Sequence, residues 1–410
     1  MSRVEALARR DGSDVRAPAE RLVSGPVGRA DLALAFEETV ASTADVLVGG
    51  PGFYPPMLED IGAASSSVHI IQFGFRQGAI GEAFAGALLA KVSEGVAVRV
   101  VVDQWGSDPD GSSRELYHRL LGGGVEVRVV RAMQLRGPSQ PVSAGGSGRW
   151  NLDRLGNIDH RKFLVVDGRI GWVGGAGIED HFDDGRFHDL CVRVTGPVAA
   201  QLQLVFLAGF RWLGGAIPPE QLDALFPVHD YVPGAVPARV LHNAPGRYRP
   251  ITTAIVQLLD GALDTLDVVN PYVTDRRMIG RVAAAARRGV QVRLFVPAKA
   301  NNWACAAALQ FHHEALLDAG VRILGHPAML HAKAFVADRE DVLAGTCNLD
   351  AWSLKRFFEI DLLVRSRALA SRFDERFSVP ADAASSPGRA PVGTRERLKA
   401  TAFAAISPLL

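Results

Sequence analysis

Lysine and cysteine are scarce in this 410-residue chain, and neither sign of charge is in excess. Only six of the 45 basic residues are lysines, and the formal net charge is +1. Such a balance gives no global basic field, so we expect no nucleic-acid partner. Three cysteines are too few for a disulfide framework, which favours a reducing compartment. The apolar content of 48% is sufficient for a large core.

Long hydrophobic runs are also missing. The most apolar stretch, Val198 to Phe210, is too short to span a bilayer and is followed by Arg211. The N-terminal segment MSRVEALARRDGSDVR lacks the apolar core of a signal peptide. If the protein acts on lipid, we therefore expect it to do so as a cytoplasmic protein in peripheral contact with the inner membrane face.

Two of the six lysines occupy copies of one pattern, H-x-K-x-x-x-x-D. The copies are His160, Lys162 and Asp167, and His331, Lys333 and Asp338. A chain that otherwise uses arginine places lysine two positions after histidine twice. The compact ammonium of lysine is not interchangeable with the planar guanidinium of arginine. This pairing indicates that a primary ammonium is needed at both positions.

The similarity between the two copies extends beyond the motif. A glycine turn begins at the same distance after each histidine, GGAGI at Gly174 and GTCNL at Gly345. A carboxylate follows each turn, and Asp189 and Glu359 lie at nearly equal distances from the histidines of their own copies. Upstream, GVAVRVVV matches GVQVRLFV. The chain is therefore a duplicated unit, and its first copy carries an insertion, within 131–157, before the motif.

Strand-like and helix-like segments alternate within each copy, which predicts an α/β fold with a mostly parallel sheet covered by helices on both faces. Composition suggests five segments. These are a loosely attached helical leader (1–43), repeat one (44–213), a Gly- and Pro-rich linker (214–234), repeat two (235–366) and a flexible C-terminal tail (367–410).

The spacing within each motif has a direct structural meaning. Side chains two positions apart on a strand point to the same face, so each His-Lys pair can reach one ligand. Asp167 and Asp338 follow an apolar run and precede a turn, which favours a structural role over a catalytic one. No histidine spacing typical of a metal site is present, and no metal or other cofactor is expected.

The paired motifs resemble those of the phospholipase D superfamily, and within it the chain is most similar to bacterial cardiolipin synthases. HRKFLVVDGRIGWVGG, NPYV, LHAKAFVAD and GTCNLDAWS carry the resemblance, which covers about residues 44–366. It implies two tandem αβα-sandwich repeats related by a pseudo-twofold axis, with the active site at their interface. Both His-Lys pairs would then face one phosphate, which two ammonium groups can stabilise without a metal.

The resemblance also implies a two-step mechanism. His160 is expected to be the nucleophile that forms a phosphohistidine, and His331 the general acid and base. The repeat symmetry leaves the reverse assignment open. Asp189 and Glu359 are expected to orient the imidazoles, and Asn348 to hold phosphate oxygens.

Two positions depart from the pattern of the family. Gly177 stands where the first glycine turn would carry an Asn equivalent to Asn348, and Phe357 replaces an Asn two positions before Glu359. The site is therefore expected to be less polar than that of the family and asymmetric. Altered substrate preference or weakened activity would follow.

The sequence thus predicts a phosphatidyltransferase of cardiolipin-synthase type with a phospholipid substrate, and no protein partner is implied. A phospholipase D-type hydrolase, or a phosphodiesterase or nuclease using the same site, is a second hypothesis. A degenerate phospholipid-binding relative is a third. The insertion containing Trp150 is expected to form a lid that contacts lipid.

Overall fold

Two mixed β-sheets dominate the computed structural model, which describes residues 13–131, 158–230, 232–246, 248–391 and 393–409. The first sheet has seven strands, in the order β2 (Thr43–Val48), β9 (Leu190–Thr195), β7 (Ile170–Gly174), β6 (Lys162–Val166), β3 (Ser67–Gln72), β4 (Ala97–Asp103) and β5 (Glu126–Val130). The second has nine, in the order β1 (Thr39–Ala41), β10 (Val236–Asn243), β17 (Glu359–Arg365), β16 (Asp341–Gly345), β15 (Ala334–Ala337), β11 (Thr265–Val269), β12 (Gln291–Pro297), β13 (Arg322–His326) and β18 (Ser386–Pro387).

The two sheets repeat one topology. Seven consecutive strands of the second sheet, from β10 to β13, match the seven of the first in order and direction, and β1 and β18 extend its two edges. The equivalent strands β3 and β11 each pair in parallel with the next strand of their repeat and antiparallel with the motif strand. The prediction of an α/β fold built from two tandem repeats is confirmed.

The expectation of a mostly parallel sheet was wrong. In the described part of the first sheet only β3–β4 and β4–β5 pair in parallel, and the other four pairings are antiparallel. The reason lies in the motif strand β6, which a short turn (167–169) joins to β7. A turn of this length connects only antiparallel neighbours, whereas parallel strands need a longer crossover.

Helices cover the sheets and fill the space between them. In chain order they are α1 (Ser13–Ser24), α2 (Gly50–Gly62), α3 (Ala79–Ser93), α4 (Gln104–Ser107), α5 (Arg114–Gly122), α6 (Val198–Trp212), α7 (Leu222–Leu225), α8 (Pro250–Gly261), α9 (Arg276–Arg287), α10 (Trp303–Gln310), α11 (His313–Asp318), α12 (Arg367–Phe373), α13 (Val379–Ala384) and α14 (Thr394–Ala405). One apolar core packs α2, α3 and α5 on the outer face of the first sheet, and another packs α8, α9 and α11 on that of the second.

A third core joins the inner faces of both sheets. Its centre is α6, in which every residue from Val198 to Phe210 is buried. Apart from Gln201 and Gln203, which are buried and hydrogen-bonded, this stretch is apolar around its whole circumference, as expected for a helix covered on all sides. None of the helices in the described ranges has the length and apolarity needed to cross a membrane. The shared core holds the two repeats together, and the strand ends next to the motif histidines of both sheets face each other.

Both ends of the chain are more firmly packed than their composition suggested. In the expected loose leader, Val15, Ala19 and Leu22 of α1 are buried, and β1 pairs with a strand of the second repeat. In the expected flexible tail, Phe373 and Phe377 are fully buried in the shared core. These short helices also carry charged residues on their outer faces, so composition averaged over the segment does not reveal the apolar face that packs.

Candidate active site

The two histidines lie where short segments of the two repeats pair with each other. The residues before His331 form β14 (Met329–Leu330), which pairs in parallel with β8 (Phe187–His188) of the first repeat. The His331 amide donates to the carbonyl of His188 at 2.8 Å. Symmetrically, the amide of His160 donates to the carbonyl of Phe358 at 3.0 Å. Each motif is therefore positioned by the backbone of the opposite repeat.

As a result, each histidine pairs with the carboxylate of the opposite repeat. Nδ1 of His160 lies 3.0 Å from Oε2 of Glu359, and Nδ1 of His331 lies 2.8 Å from Oδ2 of Asp189. Both carboxylates are buried, and the two imidazole side chains are about one-tenth exposed. A carboxylate at Nδ1 fixes the ring orientation and leaves Nε2 available for chemistry. Complete His-carboxylate pairs thus require both repeats.

The lysines follow their histidines as the strand period predicts. Lys162 Nζ donates to the carbonyl of His160 at 2.8 Å, and Lys333 Nζ donates to the carbonyl of His331. Lys333 Nζ also lies 2.9 and 3.0 Å from the two ring nitrogens of His331. Both lysines are almost fully buried. Burial lowers the pKa of Lys162 to about 8 and that of Lys333 to about 7, against the opposing attraction of the site carboxylates.

The two His-carboxylate pairs are electrostatically unequal. Burial raises the pKa of Glu359 to about 8, although the charge of Lys162 opposes the shift. Burial also acts to raise the pKa of Asp189, but the hydrogen bond with His331 and the nearby Lys333 outweigh it, so the net shift is downward. At neutral pH Asp189 is therefore ionised, whereas most of the Glu359 carboxyl is protonated.

Neither imidazole is charged at neutral pH. Burial, followed by the charges of Lys162 and Lys333, lowers the pKa of His160 well below its usual value. Burial and Lys333 lower the pKa of His331 to about 3, against the opposing effect of Asp189. An anionic phosphodiester between the lysines would offset their charges and favour imidazole protonation.

The glycine turns allow the carboxylates to approach. A Cβ atom built on Gly175 would lie 2.6 Å from a carboxylate oxygen of Asp189, so a larger residue there would displace it. In the second repeat the equivalent residue is Thr346, whose hydroxyl lies 2.5 Å from Oε2 of Glu359. Thr346 thus gives Glu359 a hydrogen bond that Asp189 lacks.

Asn348 lies in the second glycine turn, between Thr346 and Asp350. It is 4% exposed, and its Oδ1 has no hydrogen-bond partner among the residues that the structure describes. An unpaired buried amide oxygen is costly in a folded protein. The amide is therefore available for a ligand. Gly177, its counterpart in the first turn, has no side chain to offer.

Aromatic rings surround both histidines. The Phe73 ring packs edge-on against His160 at 4.9 Å and lies 4.8 Å from Lys162 Nζ. Phe357 lies 6.0 Å from His160, and Phe187 lies 5.7 Å from His331. The expectation that Phe357 makes the site less polar agrees with this placement. These rings exclude water and strengthen the electrostatic interactions inside.

Asp167 and Asp338 are not part of this cluster. Asp167 lies at the opposite end of β6, about 16 Å along the strand from Lys162. Its carboxylate accepts five hydrogen bonds, from the amides and hydroxyls of Ser65 and Ser66 and the amide of Ser67. Asp338 likewise accepts from three amides before and in β11. Both have φ of 52° and close a tight turn.

Of the nine site residues that sequence analysis names, the structure brings His160, Lys162, Asp189, His331, Lys333 and Glu359 together, with Asn348 in the adjoining turn. Sequence reasoning missed Phe73 and Thr346. Phe73 could have been found, because it follows the carboxyl end of parallel strand β3, where sites of α/β proteins lie. The expected lid, including Trp150, falls outside the described residues.

Comparison with known proteins agrees with this geometry. The family model described as "Cardiolipin synthase, PLD-like domain" matches residues 57–206 and 255–379, which include both motifs and both carboxylates. The chain belongs to this family. It lies within the phospholipase D superfamily, as the motif pair predicts.

Similar proteins with curated names include cardiolipin synthases. Cardiolipin synthase A of Pseudomonas fluorescens (strain SBW25) is 28% identical over 337 residues, which cover 80% of this chain and 66% of that protein. Cardiolipin synthase 1 of Staphylococcus aureus (strain COL) is 27% identical over 335 residues, 80% of this chain and 64% of that protein. The chain therefore spans slightly less than two-thirds of the length of these relatives.

Solved structures share the fold at low sequence identity. The phosphatidylserine synthase of Haemophilus influenzae Rd KW20 aligns with 97% of this chain and 100% of its own length, with a TM-score of 0.67 and 13% identity. The polyphosphate kinase of Porphyromonas gingivalis aligns with 95% of this chain and 56% of its own, with a TM-score of 0.53 and 11% identity. These likenesses concern the fold alone.

Proposed function

We propose that this protein is a phosphatidyltransferase of cardiolipin-synthase type, which joins two phospholipids through a phosphohistidine intermediate. The observation that carries the proposal is the buried cluster of two His-Lys pairs with crossed carboxylates from opposite repeats. Two lysines supply positive charge for one phosphodiester. The similarity to cardiolipin synthases supports a phospholipid as the substrate.

In the first step, Nε2 of His160 attacks phosphorus and the bond from phosphorus to the leaving alcohol breaks. The leaving oxygen takes the proton of Nε2 of His331. With phosphatidylglycerol as the donor, glycerol leaves and the phosphatidyl group remains on His160. Lys162 and Lys333 stabilise the negative charge that develops on the phosphate oxygens.

In the second step, His331 accepts the proton of a hydroxyl group on a second lipid. Its oxygen attacks phosphorus, the phosphorus–nitrogen bond breaks, and diphosphatidylglycerol forms. The difference between their carboxylate partners supports the assignment of the two histidines. The general acid is stabilised by an ionised carboxylate, and Asp189 beside His331 has the lowered pKa. His160 beside Glu359 is then the nucleophile, as the sequence analysis expects.

We also propose that lipid reaches the site from a membrane surface, with the protein in peripheral contact at the cytoplasmic face. Trp105 and Trp303 are 67% and 56% exposed. They follow the carboxyl ends of β4 and β12, the edge at which the histidines lie. Large aromatic side chains with a polar atom suit the boundary between lipid and water.

Replacing both tryptophans with alanine tests the membrane contact. We expect weaker cosedimentation with anionic phospholipid vesicles. Leu263→Ala is the matched control, because Leu263 is 85% exposed but precedes β11 at the opposite edge of the sheet. Equal vesicle binding by the double variant and the wild type would contradict this part of the proposal.

Product analysis tests the activity itself. Purified protein is incubated with phosphatidylglycerol vesicles, with and without phosphatidylethanolamine, and the lipids are separated. We expect diphosphatidylglycerol from the wild type and none from His160→Ala. The matched control is His118→Ala, since His118 is exposed on α5 and should keep full activity.

Other products would identify another function. Phosphatidic acid without diphosphatidylglycerol would show that water is the acceptor and that the protein is a hydrolase. Turnover that survives in His160→Ala would refute the phosphohistidine at this residue. Vesicle binding without any product, under both lipid compositions, would contradict the transferase proposal and favour a lipid-binding role.

A further inference from the structure

The site is asymmetric at one pair of equivalent positions, 177 and 348. Asn348 offers a buried amide to the ligand, whereas Gly177 has no side chain. The space is nevertheless filled. A Cβ atom built on Gly177 would overlap Oε1 of Glu179, and so would one built on Gly74. Glu179 therefore places its carboxylate where the missing side chain of residue 177 would begin.

The surrounding contacts hold this carboxylate in place. Its Oε2 forms an ion pair with Nε of Arg76 at 3.1 Å, and its side chain is only 11% exposed. The hydroxyl of Tyr54 donates to the carbonyl of Gly177 at 2.5 Å and lies 3.2 Å from that of Glu179, which fixes the turn. In the described part of the chain the ionic contacts of this side chain, to Arg76 and to His181 Nδ1 at 3.8 Å, are both made by Oε2, and Oε1 is the oxygen next to Gly177.

Glu179 also belongs electrostatically to the catalytic cluster. Burial raises the pKa of Glu179, and the charge of Lys162 opposes that shift. Burial lowers the pKa of Lys162, and the charge of Glu179 opposes that shift in turn. An ionised carboxylate only accepts hydrogen bonds. The non-bridging oxygens of a phosphodiester are also acceptors, so Oε1 cannot face them as the amide of an Asn does. Its partner must be a donor on another part of the substrate.

Two other parts of a phospholipid flank the reacting phosphate. The diacylglycerol carries no hydrogen-bond donor, whereas the head-group alcohol carries donors in two forms. These are a hydroxyl, as in a glycerol head group, and an ammonium, as in an ethanolamine head group. Arg76 decides between them. Its guanidinium neutralises Glu179 and would repel a second cation, whereas a neutral hydroxyl is not repelled.

We propose that Glu179 is a specificity-determining residue, which accepts a hydrogen bond from a hydroxyl of the alcohol next to the reacting ester oxygen. The substrate class selected is therefore a phospholipid with a polyol head group, or a polyol acceptor. This inference rests on the proposed transferase function, because only a transferase or hydrolase of phosphodiesters presents such an alcohol to the site.

Head-group exchange in mixed acceptors tests it. The protein is given phosphatidylcholine vesicles as donor, with glycerol, ethanol and ethanolamine together at equal concentration, and the three phosphatidyl products are measured. Ethanol lacks the second donor and ethanolamine replaces it with a cation. We expect glycerol to be preferred by the wild type. In Glu179→Gln the ratio of glycerol to ethanol product should fall about tenfold, as a charge-assisted hydrogen bond becomes a neutral one.

A second variant restores the symmetry of the site. Gly177→Asn combined with Glu179→Ala removes the carboxylate and places an amide opposite Asn348. The φ of Gly177 is not positive, and the close neighbour that remains for the new Cβ atom is the carbonyl oxygen of Gly74 at 3.0 Å. We expect this variant to exchange all three alcohols with little preference. Glu82→Gln is the matched control, since Glu82 is an exposed carboxylate that pairs with Arg119, and its product ratio should equal that of the wild type.

The outcomes separate the two proposals. Exchange by the wild type with an unchanged product ratio in Glu179→Gln would overturn this inference alone. A wild-type preference for ethanolamine would overturn the choice of a hydroxyl and assign the carboxylate to a cation. No exchange and no hydrolysis of any phospholipid by the wild type would overturn the proposed function, and this inference with it. A structural role for Glu179 would lower all three products together.

Discussion

The inequality of the two carboxylates leads to a prediction about their amide variants. Asp189→Asn and Glu359→Gln are nearly isosteric changes of two buried groups that each bind the Nδ1 atom of a histidine. If His331 is the general acid, Asp189→Asn removes the negative charge that stabilises its imidazolium. Glu359→Gln replaces a group that is already protonated at neutral pH. The first variant should therefore lose far more activity at pH 7.

The expected magnitude follows from the geometry. Nδ1 of His331 is 2.8 Å from Oδ2 of Asp189, and because both charges are delocalised, their mean separation is about 4 Å. With an effective dielectric constant of about 20, the interaction is worth about 4 kcal/mol, or about 1,000-fold in kcat/KM. Because the pKa of Glu359 is raised to about 8, most of its carboxyl is protonated at pH 7, so its amide should cost less than about tenfold.

The assay compares kcat/KM of both variants between pH 6 and 9, with phosphatidylglycerol and with a phosphatidyl ester of p-nitrophenol. An acidic leaving group needs no proton from the enzyme, so the defect of Asp189→Asn should shrink with the nitrophenyl ester. The cost of Glu359→Gln should grow as the pH rises through 8, because the wild-type carboxyl then becomes ionised. A larger loss from Glu359→Gln at pH 7 would refute the reasoning and exchange the roles of the histidines.

Three further predictions concern stability and pH. Asp167→Ala removes five hydrogen bonds to the serines around the start of β3 and should lower the free energy of unfolding in urea by about 2–4 kcal/mol, with kcat unchanged; a lost kcat at unchanged stability would make it catalytic. Since the pKa of Lys333 is about 7, kcat/KM for phosphodiesters should fall as the pH rises above 7 and the ammonium is lost; a flat profile to pH 9 would contradict this. Gly345→Ala should cost about 1–3 kcal/mol, because its methyl group would overlap Asp361, whereas Gly280→Ala, in a helix with open space, should stabilise by about 0.4–1 kcal/mol.

The local parts of the fold and site could be predicted from the sequence, and the long-range parts could not. The period of two in a strand relates His160 to Lys162, and the repeated spacing identifies Asp189 and Glu359. Nothing local states that Asp189 pairs with His331, 142 residues away, and not with His160. That partnership arises when short segments of opposite repeats pair, which is a property of the assembled sheets.

The same limit explains the errors about the strands and the chain ends. Strand direction in the first sheet depends on the short turn at Asp167, where the tight connection outweighs the general rule for alternating elements. Phe373 and Phe377 were assigned to a flexible tail by the small and polar residues that follow them, yet they complete the core between the sheets. Glu179 was overlooked because its position matters only through the space that the absent side chain of Gly177 leaves to its carboxylate.

The crossed pairing has a consequence for how such a site can diverge. In a symmetric dimer of single repeats, any substitution near the phosphate would appear on both sides at once, so a second carboxylate there would repel the anion twice. Covalent fusion of the two copies removes this constraint, because each half then mutates independently. Both halves are still required, since each His-carboxylate pair takes one residue from each repeat. Glu179 opposite Asn348 is a change available only after fusion. Under the proposed function, one half would retain the groups that hold the phosphate while the other adapts to the alcohol.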